Sequence, residues 1–238
     1  MQRGELLYTG KSKAVFATDD PRRVILEFTD RASAFNAKKK AEVADKGRIN
    51  CAISAHLFEL VGRAGVPHHM IERLSPTELV CERVEIVPVE VVVRNRAAGG
   101  LTKRYGVAEG TVLKEPLVEL FYKSDPLDDP LLTEQVAVLL GFAKRWEVAF
   151  MTETALATHA ALAEFWKELG IELVDAKYEF GRTADGRLLL ADELTPDGAR
   201  LWDAKTGQRL DKDVFRRDLG DLGDTYRALH ARIFPTAG

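Results

Sequence analysis

Residues 173–203 read LVDAKYEFGRTADGRLLLADELTPDGARLWD. Side chains alternate across a strand with a period of two. On a strand through Leu173–Gly181, Asp175, Lys177 and Glu179 therefore share one face, and Val174, Ala176, Tyr178 and Phe180 share the other. The apolar face reads as core. Thr183-Ala184-Asp185-Gly186 separates this run from a second one, Arg187 to Ala191, which ends in Asp192-Glu193. Asp-Gly between two strand-like runs signals a hairpin, because the tight turn it favours needs positive φ. With Asp185 and Gly186 as the loop, Ala184 faces Arg187, and counting back along the ladder Glu179 faces Asp192. Like charges directly opposite destabilise a sheet. Such a pair requires a cation between them, and oxygen-only ligands suit Mg²⁺. Pro196-Asp197-Gly198-Ala199-Arg200 adds a further carboxylate and a guanidinium able to grip a phosphate in a bidentate fork. An acidic hairpin by itself is more often a solvated edge. The arginine beside this one favours a phosphate and metal site.

Composition narrows the classes. The chain has 238 residues, 46% hydrophobic and 30% charged, which suits one large domain or two small ones sharing a cleft. A formal net charge of −3 gives no basic surplus for nucleic acid or an anionic membrane. Cys51 and Cys81 both lie in apolar runs and read as buried thiols rather than a disulfide framework. MQRGELLYTGKSK lacks the apolar core of a signal peptide, and no apolar stretch approaches a membrane span. The expected compartment is the cytoplasm.

Outward from the hairpin, Leu6–Tyr8 and Ala14–Phe16 read as strands around Thr9-Gly10-Lys11-Ser12-Lys13. Gly-Lys-Ser is not a Walker A loop here. Five residues separate Gly4 from Gly10, where that motif needs four, and no helix pattern follows. A hairpin whose glycine admits a ligand, with lysines reaching phosphates, is one reading, and an ordinary hairpin tip is the other. Val24–Phe28 is a third strand, and the polar stretch Asp30–Lys46 a surface loop. Ile53, Leu57, Leu60, Val61 and Ala64 stripe a helix over Arg48–Ala64, which Gly65-Val66-Pro67 ends. Met70–Leu74, Leu79–Arg83 and Val84–Arg94 give more strands. Val89–Arg96 then turns through Ala97-Ala98-Gly99-Gly100 into a short helix, Leu101–Tyr105. Arg94 and Arg96 beside that glycine turn favour an anion. Phe121–Pro130 is an acidic, proline-punctuated loop. Thr133 caps a helix that Gly141 closes, a longer helix runs Thr154–Leu169, and a last one, about Asp213 to Ile233, carries a docking stripe. His56, His68, His69, His159 and His230 show no metal-ligand spacing, and His68-His69 reads as an exposed turn pair.

These motifs together resemble the SAICAR synthetase family, the phosphoribosylaminoimidazole-succinocarboxamide synthases. One signature is Leu173–Gly181, and the other is Val87–Gly100. Gly10–Lys13, Phe121–Asp125 and Asp192–Arg200 also match, so the resemblance spans nearly the whole chain. It implies an α+β fold of two domains, distantly like protein kinases. An N-terminal, mainly antiparallel β domain (1–82) would face a C-terminal α/β domain (83–238) across an ATP cleft. It implies an ATP-dependent ligase joining L-aspartate to carboxyaminoimidazole ribonucleotide (CAIR), with ADP and phosphate released, and a homodimer.

The resemblance also assigns roles. Gly10, Lys11, Ser12 and Lys13 belong under the ATP phosphates, Glu82 in the adenine segment and Lys123 at the nucleotide. Glu179 and Asp192, with Asp175 nearby, hold Mg²⁺. Arg94, Gly99, Gly100 and Arg200 meet the ribonucleotide phosphate, and Asp197 the ribose. Lys177, Asp175 and Lys13 stand by the reacting groups. Two positions depart from the pattern: Gly100 where serine is usual, which removes a hydroxyl, and Ala37 where glycine is common. Lys123 and the Ser33–Asn36 loop remain open as places for aspartate. A small-molecule kinase could use the same cleft. The chain lacks the His-Arg-Asp and Asp-Phe-Gly kinase motifs.

Overall fold

The computed structural model describes residues 2–34 and 38–235. Phe35, Asn36 and the Ala37 departure lie outside the described residues. The first 82 residues build a five-stranded antiparallel sheet. Strand β1 (Arg3–Thr9) turns back into β2 (Lys13–Thr18), and β3 (Arg23–Phe28) follows. Where a loop was expected, β4 (Arg31–Ala34) and β5 (Lys39–Glu42) form a two-stranded hairpin that buries Ala32, Ser33 and Ala34. Helix α1 (Lys46–Arg63) buries Ile49, Ile53, Leu57 and Val61, and stops at Gly65, whose φ is 85°. Strands β6 (Met70–Arg73) and β7 (Glu78–Glu82) complete the order β1-β2-β3-β7-β6.

The second sheet is also antiparallel. Its elements are β8 (Glu85–Ile86), β9 (Val89–Arg96), helix α2 (Gly100–Tyr105), β10 (Val112–Tyr122), β11 (Leu131–Leu132), α3 (Glu134–Leu139), α4 (Arg145–Glu168), β12 (Ile171–Arg182), β13 (Leu188–Ala191), β14 (Ala199–Asp203), α5 (Asp213–Arg216) and α6 (Leu222–Ile233). The twelve-residue β12 is spliced between two partners on each edge. Its first half pairs with β14 and β9, and its second half with β13 and β8. The polar residues of β12 thus sit where four strands meet.

Four further local readings change. The Asp-Gly hairpin carries a three-residue loop. Thr183 and Arg187 close it, with Gly186 at φ 86°. Glu179 therefore faces Ala191, one step from the expected Asp192. Strand β10 escaped the sequence reading because Pro116 interrupts it; the ladder to β9 breaks register between Val112 and Leu117, which accommodates the proline. Helix α4 begins at Arg145, where the Glu147 carboxylate accepts the Lys144 backbone N–H at 2.6 Å. The terminal helix is two pieces. Asp218 (φ 53°) and Gly220 break it, and the Asp221 carboxylate caps α6 through the Asp224 N–H at 2.8 Å.

Val148, Met151, Leu162 and Trp166 of α4 are buried, and the helix packs on β12 and β9. One apolar cluster runs from Leu26 and Leu79 through Phe58 and Met151 to Tyr178 and Leu201. Each large side chain buried there contributes about 1.5–3 kcal/mol. The sheets divide between Glu82 and Glu85, yet they share this core.

Candidate functional site

The polar face of β12 carries two charge clusters. At the Glu179 end, the Lys177 ammonium contacts Glu90 at 2.7 Å and also Glu179. Lys123 reaches the Glu179 carboxylate at 2.7 Å. Lys13, from the first sheet, contacts Asp192 and, at 3.1 Å, Glu193. Ser12 donates to Glu193 at 3.3 Å. Burial opposes the charge on Lys13, but Asp192, Glu193 and Glu179 outweigh it and hold its pKa above the ordinary lysine value. Burial likewise opposes the charge on Lys177, and Glu179, Glu90 and Asp192 outweigh it. Both lysines remain cations at neutral pH, so neither is a general base. Burial alone would raise the Glu179 pKa, yet Lys177, Lys123 and Lys13 hold its carboxyl far below the usual range. Burial pushes Glu90 the other way, upward.

Asp192 adopts φ 62° directly after β13. That left-handed region is open mainly to glycine, asparagine and aspartate. It turns the Asp192 side chain out of the β13 alternation toward Lys13. His69 holds the turn: its ring Nε2 lies 3.0 Å from the Asp192 carbonyl, and its backbone N–H donates to the Leu190 carbonyl at 2.9 Å. His69 is buried, not an exposed turn residue, and burial pushes its pKa down to about 4.

At the Asp175 end, carboxylates and guanidiniums alternate. Arg104 bonds Glu119, which accepts from Arg94 Nε at 2.7 Å. Arg94 bonds Asp175, which accepts from Arg200 Nη1 at 2.9 Å. Arg200 Nε donates to Asp213 at 3.0 Å, and Arg216 donates to the same carboxylate at 2.6 Å. Four arginines interleave with three acids, leaving one positive charge in excess. Burial disfavours the Arg200 charge, but Asp175 and Asp213 outweigh it and raise its pKa. Next to the row, burial and Asp213 push Asp211 up to about 7.

The structure thus separates residues that the sequence grouped. Asp175 lies four residues from Glu179, roughly 13 Å along a strand, and its carboxylate is taken by Arg94 and Arg200. It belongs with the arginines and not in a metal set. Asp197 does not line an open ribose pocket. Its carboxylate is buried, bonded by Lys46 at 2.6 Å and by the Tyr226 hydroxyl at 2.6 Å. Arg96 turns to Glu172 and the Gly110 carbonyl. Lys11, half exposed, pairs with Asp125, and Glu82 pairs with Arg187. The Gly10 N–H closes the β1–β2 turn on the Lys13 carbonyl at 2.8 Å. Gly99, at φ 56°, lets the turn approach Arg200: a Cβ there would stand 2.6 Å from Nη2. Gly100 stands against Arg104 in the same way.

Sequence reasoning missed Glu90, Glu119, Glu193, Lys46, His69, Arg104 and Asp213. Glu90 alone had a clear signal, a carboxylate two steps of alternation from Arg94 inside a valine strand.

Among the described residues, no three acids, histidines or cysteines converge as a preformed metal site. Glu179 and Asp192 nevertheless fit Mg²⁺. Their donors are all oxygen, and Mg²⁺ is commonly held by one or two carboxylates together with nucleotide phosphates and water.

The SAICAR synthetase family model matches residues 6–233. The phosphoribosylaminoimidazole-succinocarboxamide synthase of Magnetococcus marinus is 49% identical over 235 residues, spanning 98% of this chain and 97% of that protein. That of Anoxybacillus flavithermus is 48% identical over 233 residues, with 98% and 97% covered. The Ehrlichia chaffeensis enzyme of the same name superposes with a TM-score of 0.94 at 38% identity, covering 98% of this chain and all of that one (100%). A SAICAR synthetase solved in complex with ADP gives 0.93 at 42%, with 98% and 99% covered.

Proposed function

The chain belongs to the SAICAR synthetase family, and from that premise we propose how its residues perform an ATP-dependent ligation of purine biosynthesis. The substrates are ATP, L-aspartate and CAIR. A carboxylate is a poor acyl donor. Attack of the CAIR carboxylate on the γ-phosphorus of ATP expels ADP and forms an acyl phosphate. The aspartate amine then attacks its carbonyl, the amide forms, the amine gives up a proton and phosphate leaves. Such transfers depend on positioning and charge neutralisation.

Lys13 and Lys177 remain protonated and supply fixed positive charge where phosphate charge develops. Lys11 and Lys123, both partly exposed, are free to swing from Asp125 and Glu179 onto nucleotide oxygens. Glu179 and Asp192 would hold Mg²⁺, which when bound neutralises and aligns the β- and γ-phosphates. Arg94 and Arg200 bind the ribonucleotide phosphate, pre-set by Asp175. The observation that carries this reading is the adjacency of a carboxylate-rich lysine cluster and an arginine row on one face of β12.

No nucleophilic side chain enters the scheme, so denatured protein retains no labelled phosphate or substrate. The test is phosphate release with each substrate omitted in turn. Release is expected only with ATP, aspartate and CAIR together, and to fall sharply in Asp192→Asn. A stable phosphorylated product formed without aspartate would contradict the reading. The division at residue 82 and a homodimer complete the proposal. Leu131, Val136, Leu139 and Leu140 are exposed, and we assign them to the contact with the second copy. Leu139→Lys should shift the dimer toward monomer in sedimentation.

A further inference from the structure

The Gly100 departure from the family pattern has a structural counterpart, and it extends the proposed function above, on which it rests. A Cβ at Gly100 would lie 2.7 Å from Arg104 Nη1, and one at Gly99 would lie 2.6 Å from Arg200 Nη2. Two consecutive glycines each leave room for a guanidinium. Arg104 is not a loose surface residue. Its Nη2 bonds one oxygen of Glu119, and the other oxygen accepts from Arg94 Nε at 2.7 Å. The rings of Phe121 and Tyr105 stand 5.4 and 5.8 Å from its guanidinium carbon. A single buried carboxylate therefore fixes Arg94 and Arg104 together. About a third of the Arg104 side chain is still exposed (29%), against 5% for Arg94.

We propose that Arg104 is a third anion-binding guanidinium of the sugar-phosphate site, admitted by Gly100 and held by Glu119 as its positioning residue. With Arg216 and Asp213 included, four guanidiniums stand against three carboxylates, which leaves one positive charge over. A phosphate monoester near neutral pH brings between one and two negative charges. Arg104 offers this site a charged donor, and charged hydrogen bonds are stronger than neutral ones. The ligand class is a sugar 5′-phosphate.

The test is calorimetric titration of the full chain with ribose 5-phosphate and, separately, with ATP. Arg104→Gln should weaken ribose 5-phosphate about tenfold or more and leave ATP affinity unchanged. Gly100→Ala, which pushes the guanidinium aside, should weaken it by less. The double variant should bind no worse than Arg104→Gln, because both changes act through one group. Arg104→Lys should recover part of the loss, and Lys103→Gln, on the same helix, should change nothing. Melting curves confirm that each variant is folded. Wild-type affinity in Arg104→Gln beside a weakened Arg200→Gln would overturn the assignment. So would additive losses from Gly100→Ala and Arg104→Gln, or a wild type that binds no ribose 5-phosphate. Tight, Arg104-dependent binding without aspartate-dependent phosphate release would support the assignment while striking the ligase reading.

Discussion

At the Glu179 end of β12, three ammoniums meet four carboxylates; at the Asp175 end, four guanidiniums meet three carboxylates. The two ends differ in more than sign. Lysine is a compact charge on a flexible stem, whereas arginine is a planar fork. The lysine cluster is assembled from both sheets, since Lys13 comes from β2 and Glu179 from β12. In the proposed reaction its contacts are exchanged for nucleotide phosphates. The arginine row lies within the second sheet and its flanking helices, and the two inner forks, Arg94 and Arg200, are each locked by a carboxylate on either side. One cluster is suited to yield its partners and the other to keep them, which is what the proposed function asks of one face of one strand.

A third cluster sharpens this contrast, because, among the described residues, its charged groups bond only to one another and to a tyrosine inside the protein. Lys46, Asp197 and Tyr226 are sealed in the core. Breaking a buried pair by removing one partner costs about 3–5 kcal/mol. Lys46→Met should lower unfolding stability by that amount in urea melts, with the KM for CAIR little changed in protein that remains folded. An unchanged stability with a raised KM would restore Asp197 to the ribose. Burial opposes the Asp197 charge, but Lys46 and Lys212 outweigh it and hold its pKa below the ordinary value of 3.8. Its contribution is therefore present above about pH 4 and lost on further acidification.

Within the lysine cluster, Glu179→Gln or Asp192→Asn should lower kcat about 10²- to 10³-fold, the range for removing a group that stabilises transition-state charge. Affinity for ribose 5-phosphate should be unchanged. Arg94→Gln should do the reverse, raising the KM for CAIR first. If the carboxylate variants weaken sugar-phosphate binding as much as the arginine variants do, the two clusters are one site and the comparison fails.

A smaller effect concerns His69 behind Asp192. Its folded pKa is pushed from 6.5 down to about 4 by burial. The unfolded chain then binds the extra proton first as pH falls. Stability is full above about pH 6.5 and declines toward pH 4, at most about 1.4 kcal/mol per pH unit for one proton. His159, pushed down to about 4 by burial beside Tyr178, adds a second proton over the same range. Asp211, pushed up to about 7, works in the opposite direction, so the net slope is shallower, and His69→Gln should reduce it by one proton's share. An unaltered slope would mean that His69 is not held neutral behind the Asp192 turn.

Much of this was legible in the sequence. The alternation in β12, the α1 stripe, the buried Arg94 and the Gly99 turn all follow from local patterns. The missed features depend on contacts between distant segments. Glu179 and Asp192 share the lysine cluster although the hairpin register is one step off, because the left-handed Asp192 turn corrects for the extra loop residue. Asp175 carries the same charge as Glu179 and shares its face, and only the arrival of Arg94 and Arg200 gives it a different role. Asp197 looked like a ligand-facing acid because nothing near it in sequence announces Lys46, 151 residues away.

The most direct measurement is a crystal of the protein grown with ADP, CAIR and Mn²⁺ in place of Mg²⁺, read by anomalous scattering. The account predicts a metal peak between Glu179 and Asp192 and the CAIR phosphate on Arg94 and Arg200. A peak elsewhere, with both carboxylates still bonded to Lys13, Lys123 and Lys177, would contradict it.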